Sequence, residues 1–330
     1  MKNISKIKNY IIVATSVTTL LTACSTNNIK LPSNVKVQNV AQNPEGIEYD
    51  KNDHTFLLSS LNAAPILKVN IDGSSKPFTS GENFPLSTAG LQVDYRRNRL
   101  LVAGFNGTEI IDNDPKTKGI SHLRIYNLTT GIIEKDINLS HLVPEASAYF
   151  ANDLTIDNEG NVYITDWYAQ VIYKVDINGN ASIFWKNNTG IPSGSNGIDF
   201  HKDGYLLVSM LNVNKQGHYS DYALVKIPIN NPNMAKIVKI DDSRFSAFDG
   251  MVINKKGHII GVTNNKKTPG GNMLIELKSD DNWKSAQVIN SKSIIPSTTL
   301  TITPENKNYV INQDFTKPNK KIWNIEQIKF

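Results

Sequence analysis

The sequence predicts an all-β fold, a six-bladed β-propeller. A short pattern of alternating apolar and polar residues recurs six times, with a period of roughly 45 residues, which is typical of propeller blades. Each copy is followed by a polar turn and a second β-rich run. No stretch has the sustained helical periodicity of a parallel α/β fold. The six copies begin at Glu45, Ala89, Asn152, Asn196, Asp249 and Thr298.

Each copy of the pattern has the same order of parts. A polar residue comes first, then glycine or a substitute, an apolar alternating run, a turn and a second strand. In the fourth copy these parts are Asn196-Gly197, residues 198–201, the turn 202–204 and a strand over 205–209. We expect residues 35–40 to supply the outer strand of the last blade and to close the ring, because closure removes sheet edges prone to aggregation. An irregular β-sandwich is the alternative architecture.

The first 24 residues read as an export signal. Lys2, Lys6 and Lys8 precede a short apolar run over residues 10–21, which is too short to span a bilayer. Leu21-Thr22-Ala23-Cys24 resembles the bacterial lipobox, which is cleaved before a cysteine that receives lipid. We therefore expect a signal peptide over 1–23, a polar tether over 24–38 and the propeller over 39–330.

The expected location is the cell envelope, with Cys24 anchoring the protein to a membrane through lipid. In a Gram-negative host this means the outer membrane or periplasm, and in a Gram-positive host the cell surface. Cys24 is also the only cysteine in the chain, which excludes an internal disulfide and a catalytic thiol elsewhere.

The charge balance argues against nucleic acid as a partner. The chain has 35 basic and 30 acidic residues, a formal charge of +5. Three of the lysines lie in the leader, so 35 − 3 = 32 basic residues remain against 30 acidic ones. A nearly neutral protein exerts little long-range attraction on polyanions. The sequence does not predict an oligomeric state.

The residues that open the six copies predict a metal site. In a propeller the first strand of each blade lines the central channel, so the opening residues form a ring at one mouth. Four of the six carry a carboxylate or amide oxygen: Glu45, Asn152, Asn196 and Asp249. A hard divalent cation suits such a set, Ca²⁺ first, with Mg²⁺, Mn²⁺ or Zn²⁺ as alternatives. The competing interpretation is that polar residues open strands routinely, by turn chemistry.

A second ring of residues is expected at the same mouth, because the second strand of each blade returns to it. These residues suit a small polar substrate, although asparagine is also a common loop residue. They are Asn62, Asn106, Asp166-Trp167-Tyr168, Asn212, Asn264-Asn265 and Asp314-Phe315.

Four motifs, one in each of four blades, resemble the gluconolactonase/regucalcin (senescence marker protein) family. They are Asn43-Pro44-Glu45-Gly46, Asn152-Asp153, Ser195-Asn196-Gly197 and Phe248-Asp249-Gly250. The resemblance covers about residues 40–328. It implies that Glu45, Asn196 and Asp249 bind the metal and that Asn152 contacts metal or substrate. It further implies Ca²⁺-dependent hydrolysis of a lactone, with Asp249 as general base.

Two positions depart from the family pattern. Family members that open sugar-acid lactones carry an arginine two residues before the Asn-Asp pair, where this chain has Phe150. The tryptophan that precedes the Glu-Gly pair is missing as well. We therefore expect Phe150 to line the substrate site and the substrate to be a more apolar or unusual lactone, or a different ester.

The sequence predicts a metal-dependent hydrolase of the envelope. In that hypothesis Asp249, with Asp153 as the second candidate, takes the proton from water, while Glu45 and Asn196 hold the cation. The main alternative is a propeller without catalytic activity that binds a ligand or a partner protein, since fold alone does not fix function. A third is a propeller like strictosidine synthase or paraoxonase.

Overall fold

Alternating apolar segments and polar turns build every described blade. The computed structural model describes residues 30–38, 43–106, 119–187, 190–213, 219–263, 271–312 and 322–330. Within these ranges 24 strands form six four-stranded antiparallel sheets. The prediction of a six-bladed β-propeller is confirmed.

The first three blades follow one another along the chain, each running from the channel to the rim. Blade 1 contains β2 (Ile47–Asp50), β3 (Thr55–Leu58), β4 (Leu67–Val69) and β5 (Ser75–Pro77). Blade 2 contains β6 (Ser87–Asp94), β7 (Arg99–Asn106), β8 (Ile120–Asn127) and β9 (Ile133–Asn138). Blade 3 contains β10 (Ala151–Ile156), β11 (Val162–Asp166), β12 (Val171–Val175) and β13 (Ala181–Lys186).

The remaining blades repeat this order, and the last one combines both ends of the chain. Blade 4 contains β14 (Gly194–His201), β15 (Tyr205–Val213), β16 (Tyr219–Pro228) and β17 (Lys236–Ile237). Blade 5 contains β18 (Met251–Ile253), β19 (Ile259–Thr263), β20 (Met273–Lys278) and β21 (Gln287–Ser293). Blade 6 contains β22 (Leu300–Ile302), β23 (Asn308–Ile311), β24 (Ile322–Ile328) and β1 (Asn34–Gln38).

The N-terminal strand closes the ring, as expected. Strand β1 pairs antiparallel with β24, with Val37 opposite Trp323. The paired segment begins earlier than the predicted 35–40, so residues 34–38 of the expected tether belong to blade 6. Leu31 is also buried in the core shared by blades 6 and 1. The compact unit accordingly spans Leu31–Phe330.

The first strands of neighbouring blades contact one another around the channel, and apolar clusters fill the wedges between blades. The wedge between blades 6 and 1 buries Phe56, Tyr309 and Trp323, each at 0% exposure. Burying an aromatic side chain of this size stabilises the fold by about 1.5–3 kcal/mol. This packing between neighbouring blades fixes the position of each first strand along the central channel.

The turn between β10 and β11 shows how the sequence makes the hairpins. The Asp157 carboxylate accepts the N–H groups of Glu159 and Asn161, both at 2.9 Å. Gly160 adopts φ +91°, a left-handed conformation that favours glycine. This side-chain-capped turn returns the chain to the channel mouth.

The predicted signal peptide over 1–23 and the predicted lipidation site Cys24 lie outside the described residues. Across the parts of the chain that the structure covers, no helix has both the length and the apolar character needed to cross a bilayer.

Candidate functional site

Bulges in the first strands shape the channel mouth. The pairing register shifts between Thr88 and Leu91, between Ala151 and Leu154, and between Ser195 and Ile198. Each shift falls on the first two positions of the repeat, which in blades 3 and 4 are Asn152-Asp153 and Asn196-Gly197. Bulges bend a strand and redirect its side chains, and they occur often beside active sites.

The second position of the repeat lies where neighbouring first strands approach closely. A Cβ atom added to Gly90 would lie 2.7 Å from Asp153 Cα and 2.5 Å from Asp153 Oδ1. A side chain at position 90 would clash with Asp153, so Gly90 in blade 2 makes room for the Asp153 carboxylate of blade 3. Asp153 itself lines the channel.

Three predicted site residues come together at the mouth. Asn196 Nδ2 donates to Asp249 Oδ1 at 3.2 Å, and both residues are at least nine-tenths buried. Burial raises the pKa of Glu45 well above its usual value, and the nearby Asp249 and Asp153 carboxylates raise it further. Asn196 and Asp249 are therefore in contact, and the Glu45 carboxyl lies near enough to those of Asp249 and Asp153 for their charges to raise its pKa.

Burial raises the pKa values of the acidic groups at the mouth towards neutral pH. Burial raises the pKa of Asp249 to about 7, against the opposing effect of the hydrogen bond from Asn196. Burial also raises the pKa of Asp153 to about 7, against hydrogen bonds from the N–H groups of Leu154 and Ile198. Among the described residues, neither Glu45 nor Asp153 forms a salt bridge with a basic side chain. A cation would offset this concentration of enclosed carboxylates.

The donor atoms fit a cation bound by oxygen. Asn196 Oδ1 is fully buried and has no hydrogen-bond partner, while the Nδ2 of the same amide is used by Asp249. An orphaned buried acceptor is rare and costs free energy unless something else satisfies it. In the part of the chain that is described, no three His, Cys, Asp or Glu side chains group closely enough to hold a metal by themselves. A cation held here would therefore need amide oxygens as well as carboxylates, and Asn196 and the buried Asn152 could supply them.

The other two opening residues, Ala89 and Thr298, have no acidic side chain. Ala89 is fully buried, and the Thr298 hydroxyl donates to the Glu45 backbone oxygen at 2.8 Å. Thr298 thereby ties blade 6 to blade 1 and fixes the backbone that carries the Glu45 carboxylate.

A second tier of polar side chains lies deeper in the channel, at the fourth position of the repeat. Glu48 accepts the Thr301 hydroxyl of blade 6 at 3.2 Å and the Val93 N–H of blade 2. Asp199 in blade 4 repeats the arrangement, accepting the Thr155 hydroxyl of blade 3 at 2.9 Å and the Ile253 N–H of blade 5 at 2.6 Å. Both carboxylates thus connect three consecutive blades around a cavity of ≈ 120 Å³.

This second tier was not predicted from the sequence, although the repeat contains a signal for it. Five of the six copies carry a polar residue at the fourth position, the exception being Val252; the five are Glu48, Gln92, Thr155, Asp199 and Thr301. Burial raises the pKa of Glu48 to about 8 and that of Asp199 to about 6.

The predicted second ring divides into two groups. Asp166 was expected to contact substrate, but it is fully buried and accepts hydrogen bonds from Phe150 N, Ala169 N and Ser121 Oγ. Asn212 Oδ1 accepts from both the N–H and the hydroxyl of Ser193. These two side chains hold local structure at the mouth.

The aromatic members of that ring lie together. Phe150 packs against Leu61, Ala89 and Phe105, and its ring is parallel to that of Trp167 to within 6°. Asn106, buried at the end of β7, is at the same mouth. Asn264, Asn265, Asp314 and Phe315 lie outside the described residues.

Comparison with known proteins identifies the fold. No protein-family model matches the chain, and no curated protein matches its sequence. Solved structures do match. The major allergen Mala s 1 of Malassezia sympodialis superposes with a TM-score of 0.68 at 18% identity, covering 91% of this chain and 97% of the allergen.

Two further structures match less closely. A gluconolactonase from Xanthomonas campestris has a TM-score of 0.58 at 14% identity, covering 89% of each chain. A glucose dehydrogenase has a TM-score of 0.59 at 11% identity, covering 91% of this chain and 100% of that one. At these identities the matches show a shared gluconolactonase-like propeller fold.

Proposed function

We propose that this chain is a divalent-cation-dependent hydrolase that opens a lactone or a related ester at the channel mouth. The observation that carries the proposal is the contact of Asn196 with Asp249 at the mouth, where the Asn196 Oδ1 is buried without a partner and the Glu45 carboxyl is within electrostatic reach of Asp249 and Asp153. The gluconolactonase from Xanthomonas campestris, which shares the fold, supports the reaction class.

The four oxygen-bearing side chains of the mouth would hold the cation: Glu45, Asn152, Asn196 and Asp249. Ca²⁺ is the first choice, because an all-oxygen set drawn from several blades suits its flexible coordination, and Mg²⁺, Mn²⁺ and Zn²⁺ are the alternatives. A cation bound here would polarise the ester carbonyl and offset the negative charge that develops on its oxygen.

Asp249 is the proposed general base, with Asp153 as the second candidate. A group with a pKa near 7 exchanges protons readily at neutral pH, as a general base must. The oxygen of water bonds to the acyl carbon as the base takes its proton. The ring C–O bond then breaks, and the leaving oxygen takes up a proton to give a hydroxy acid.

The proposal includes the location. Cys24, in a lipobox-like sequence, would carry the lipid that anchors the propeller in the cell envelope. A Cys24→Ala variant should be found outside the membrane fraction, and its retention there would contradict the anchor.

The test is a panel of lactones and aryl esters, assayed with the purified protein in the presence of calcium and of a chelator. We expect turnover that chelation abolishes. Asp249→Asn, which keeps the shape of the side chain, should lower kcat by at least about 100-fold, because a positioned base contributes about 10²–10⁴-fold.

The matched control is Asp280→Asn, which changes an exposed aspartate paired with Lys278 on blade 5 and should leave turnover unchanged. Calcium binding, measured by calorimetry, without turnover of any substrate in the panel would contradict the hydrolase and favour a ligand-binding propeller.

A further inference from the structure

Four aromatic rings form a cluster on blades 2 and 3, directly beside the candidate site. The rings of Phe105 and Phe150 have their centroids 4.2 Å apart. Phe150 lies 6.4 Å from Trp167, with the two rings parallel to within 6°, and 6.1 Å from Tyr168. Phe105, Phe150, Trp167 and Tyr168 are the aromatic cluster below.

The backbone that carries the aromatic cluster is held firmly. Trp167 N donates to Phe150 O at 3.0 Å, which joins the start of β10 to the end of β11. The buried Asp166 carboxylate accepts the N–H of Phe150 and that of Ala169, both at 2.9 Å, and so fixes the turn between them. The rings are therefore presented in a set geometry before any ligand arrives.

Blade 4 fixes the indole in turn. A Cβ atom added to Gly194 would lie 3.0 Å from Trp167 Nε1 and 3.2 Å from Trp167 Cδ1, so the indole rests against the glycine backbone. Preorganisation of this kind lowers the entropy lost when a ligand binds.

The aromatic cluster is continuous with the predicted cation ring. Phe150 packs on Ala89, which opens the first strand of blade 2, and it precedes Asn152 of blade 3 by two residues. The mouth thus has an apolar wall directly beside its oxygen donors. Tyr168 is 38% exposed, so this wall also faces solvent.

We infer that the aromatic cluster binds an apolar substituent, alkyl or aryl, of the ester whose carbonyl lies at the cation ring. The inference rests on the proposed function and narrows its substrate class to lactones and esters with an apolar side chain. A polyhydroxylated sugar lactone would lose hydrogen bonds to water against these rings without replacement. An alkyl chain gains about fourfold in affinity for each methylene that is fully buried.

The experiment uses γ-lactones with linear alkyl substituents of increasing length, together with the corresponding alkyl-substituted lactams, which are far more resistant to hydrolysis. We expect kcat/KM for the lactones to rise about two- to fourfold per methylene, mainly through KM, and lactam affinity measured by calorimetry to rise in parallel. Phe150→Ala should flatten both series, and Phe150→Leu should restore part of the slope.

Phe184→Ala is the matched control, because Phe184 lies on β13, the outer strand of blade 3, and packs against Tyr163 there. It should leave both slopes unchanged.

The two proposals can fail separately. Turnover of all lactones with no dependence on chain length would overturn the apolar subsite and leave the hydrolase in place. Lactam binding that rises with chain length and is lost in Phe150→Ala, without turnover of any lactone, would support the subsite and overturn the hydrolase. A slope that survives Phe150→Ala would overturn the assignment of the subsite to the aromatic cluster.

Discussion

Replacing Asp166 by alanine should destabilise the fold, although its position at the mouth suggested a role in substrate binding. The carboxylate is fully buried and accepts the N–H groups of Phe150 and Ala169, together with the Ser121 hydroxyl at 2.7 Å. Alanine leaves the two backbone donors buried and without a partner, at about 1–3 kcal/mol each. The hydroxyl can turn to another acceptor, so the expected loss is about 2–6 kcal/mol.

Asparagine at the same position should be tolerated better. Its amide oxygen can still accept both backbone N–H groups, and the neighbouring hydroxyls of Ser121 and Tyr173 can each present an acceptor to its NH₂ group. We expect Asp166→Asn to lose less than about 2 kcal/mol. The difference in unfolding free energy between the two variants measures the contribution of the two backbone N–H groups.

The assay is urea unfolding followed by tryptophan fluorescence, with the free energy of unfolding extrapolated to zero denaturant. Lactone turnover is measured on the same preparations under conditions where each variant is folded. An Asp166→Ala variant as stable as the wild type, but impaired in KM for the lactone, would refute the structural role and restore the predicted contact with substrate.

Two further predictions concern the cation and the ring closure. In the calcium-free protein the pKa of Asp249 is raised to about 7. The folded state therefore holds this proton more tightly than the unfolded state, and the free energy of unfolding falls as the pH rises from about 4 through 7. The slope is at most about 1.4 kcal/mol per pH unit. Thermal unfolding with a chelator should therefore occur at a lower temperature at about pH 8 than at about pH 5.5. Added calcium should raise the unfolding temperature more at the higher pH, and equal calcium effects at both pH values would contradict this reasoning. Val37→Asp places a carboxylate at a fully buried position of β1 and should lower the free energy of unfolding by at least about 3 kcal/mol. The loss should be seen as a lower urea midpoint and increased light scattering. Lys36→Asp, on the exposed side of the same strand, should change little.

Much of the fold could be predicted from the sequence, because a propeller repeats its local chemistry. The alternation in Asn196-Gly197-Ile198-Asp199 shows which side chains face the channel, and the turn after it sets the length of the hairpin. The predicted second strand over 205–209 lies within β15, Tyr205–Val213. The first ring followed from the same alignment, and two of its members, Asn196 and Asp249, are hydrogen-bonded to each other.

The rest depended on contacts between blades, which spacing within one repeat does not encode. Asp153 occupies the second position, where four of the other copies have glycine before an apolar residue, and it enters the channel because Gly90 of the neighbouring blade leaves room. Asp166 follows a strand just as Asn106 does. It is nevertheless satisfied by backbone N–H groups of its own blade, which only the folded chain brings within reach.

The pairing of β1 with β24 makes completion of the ring depend on a segment that is synthesised long after β1. Every other blade is made of consecutive strands, but blade 6 joins residues 34–38 to residues 322–328. Until residues 322–328 are in place, the apolar side of β1 has no sheet to join and the edge of β23 stays open. Contacts this distant in sequence are associated with slow folding. A chain shortened by ten residues at its C-terminus would therefore expose unpaired strand edges at both β1 and β23, a state prone to association with other chains.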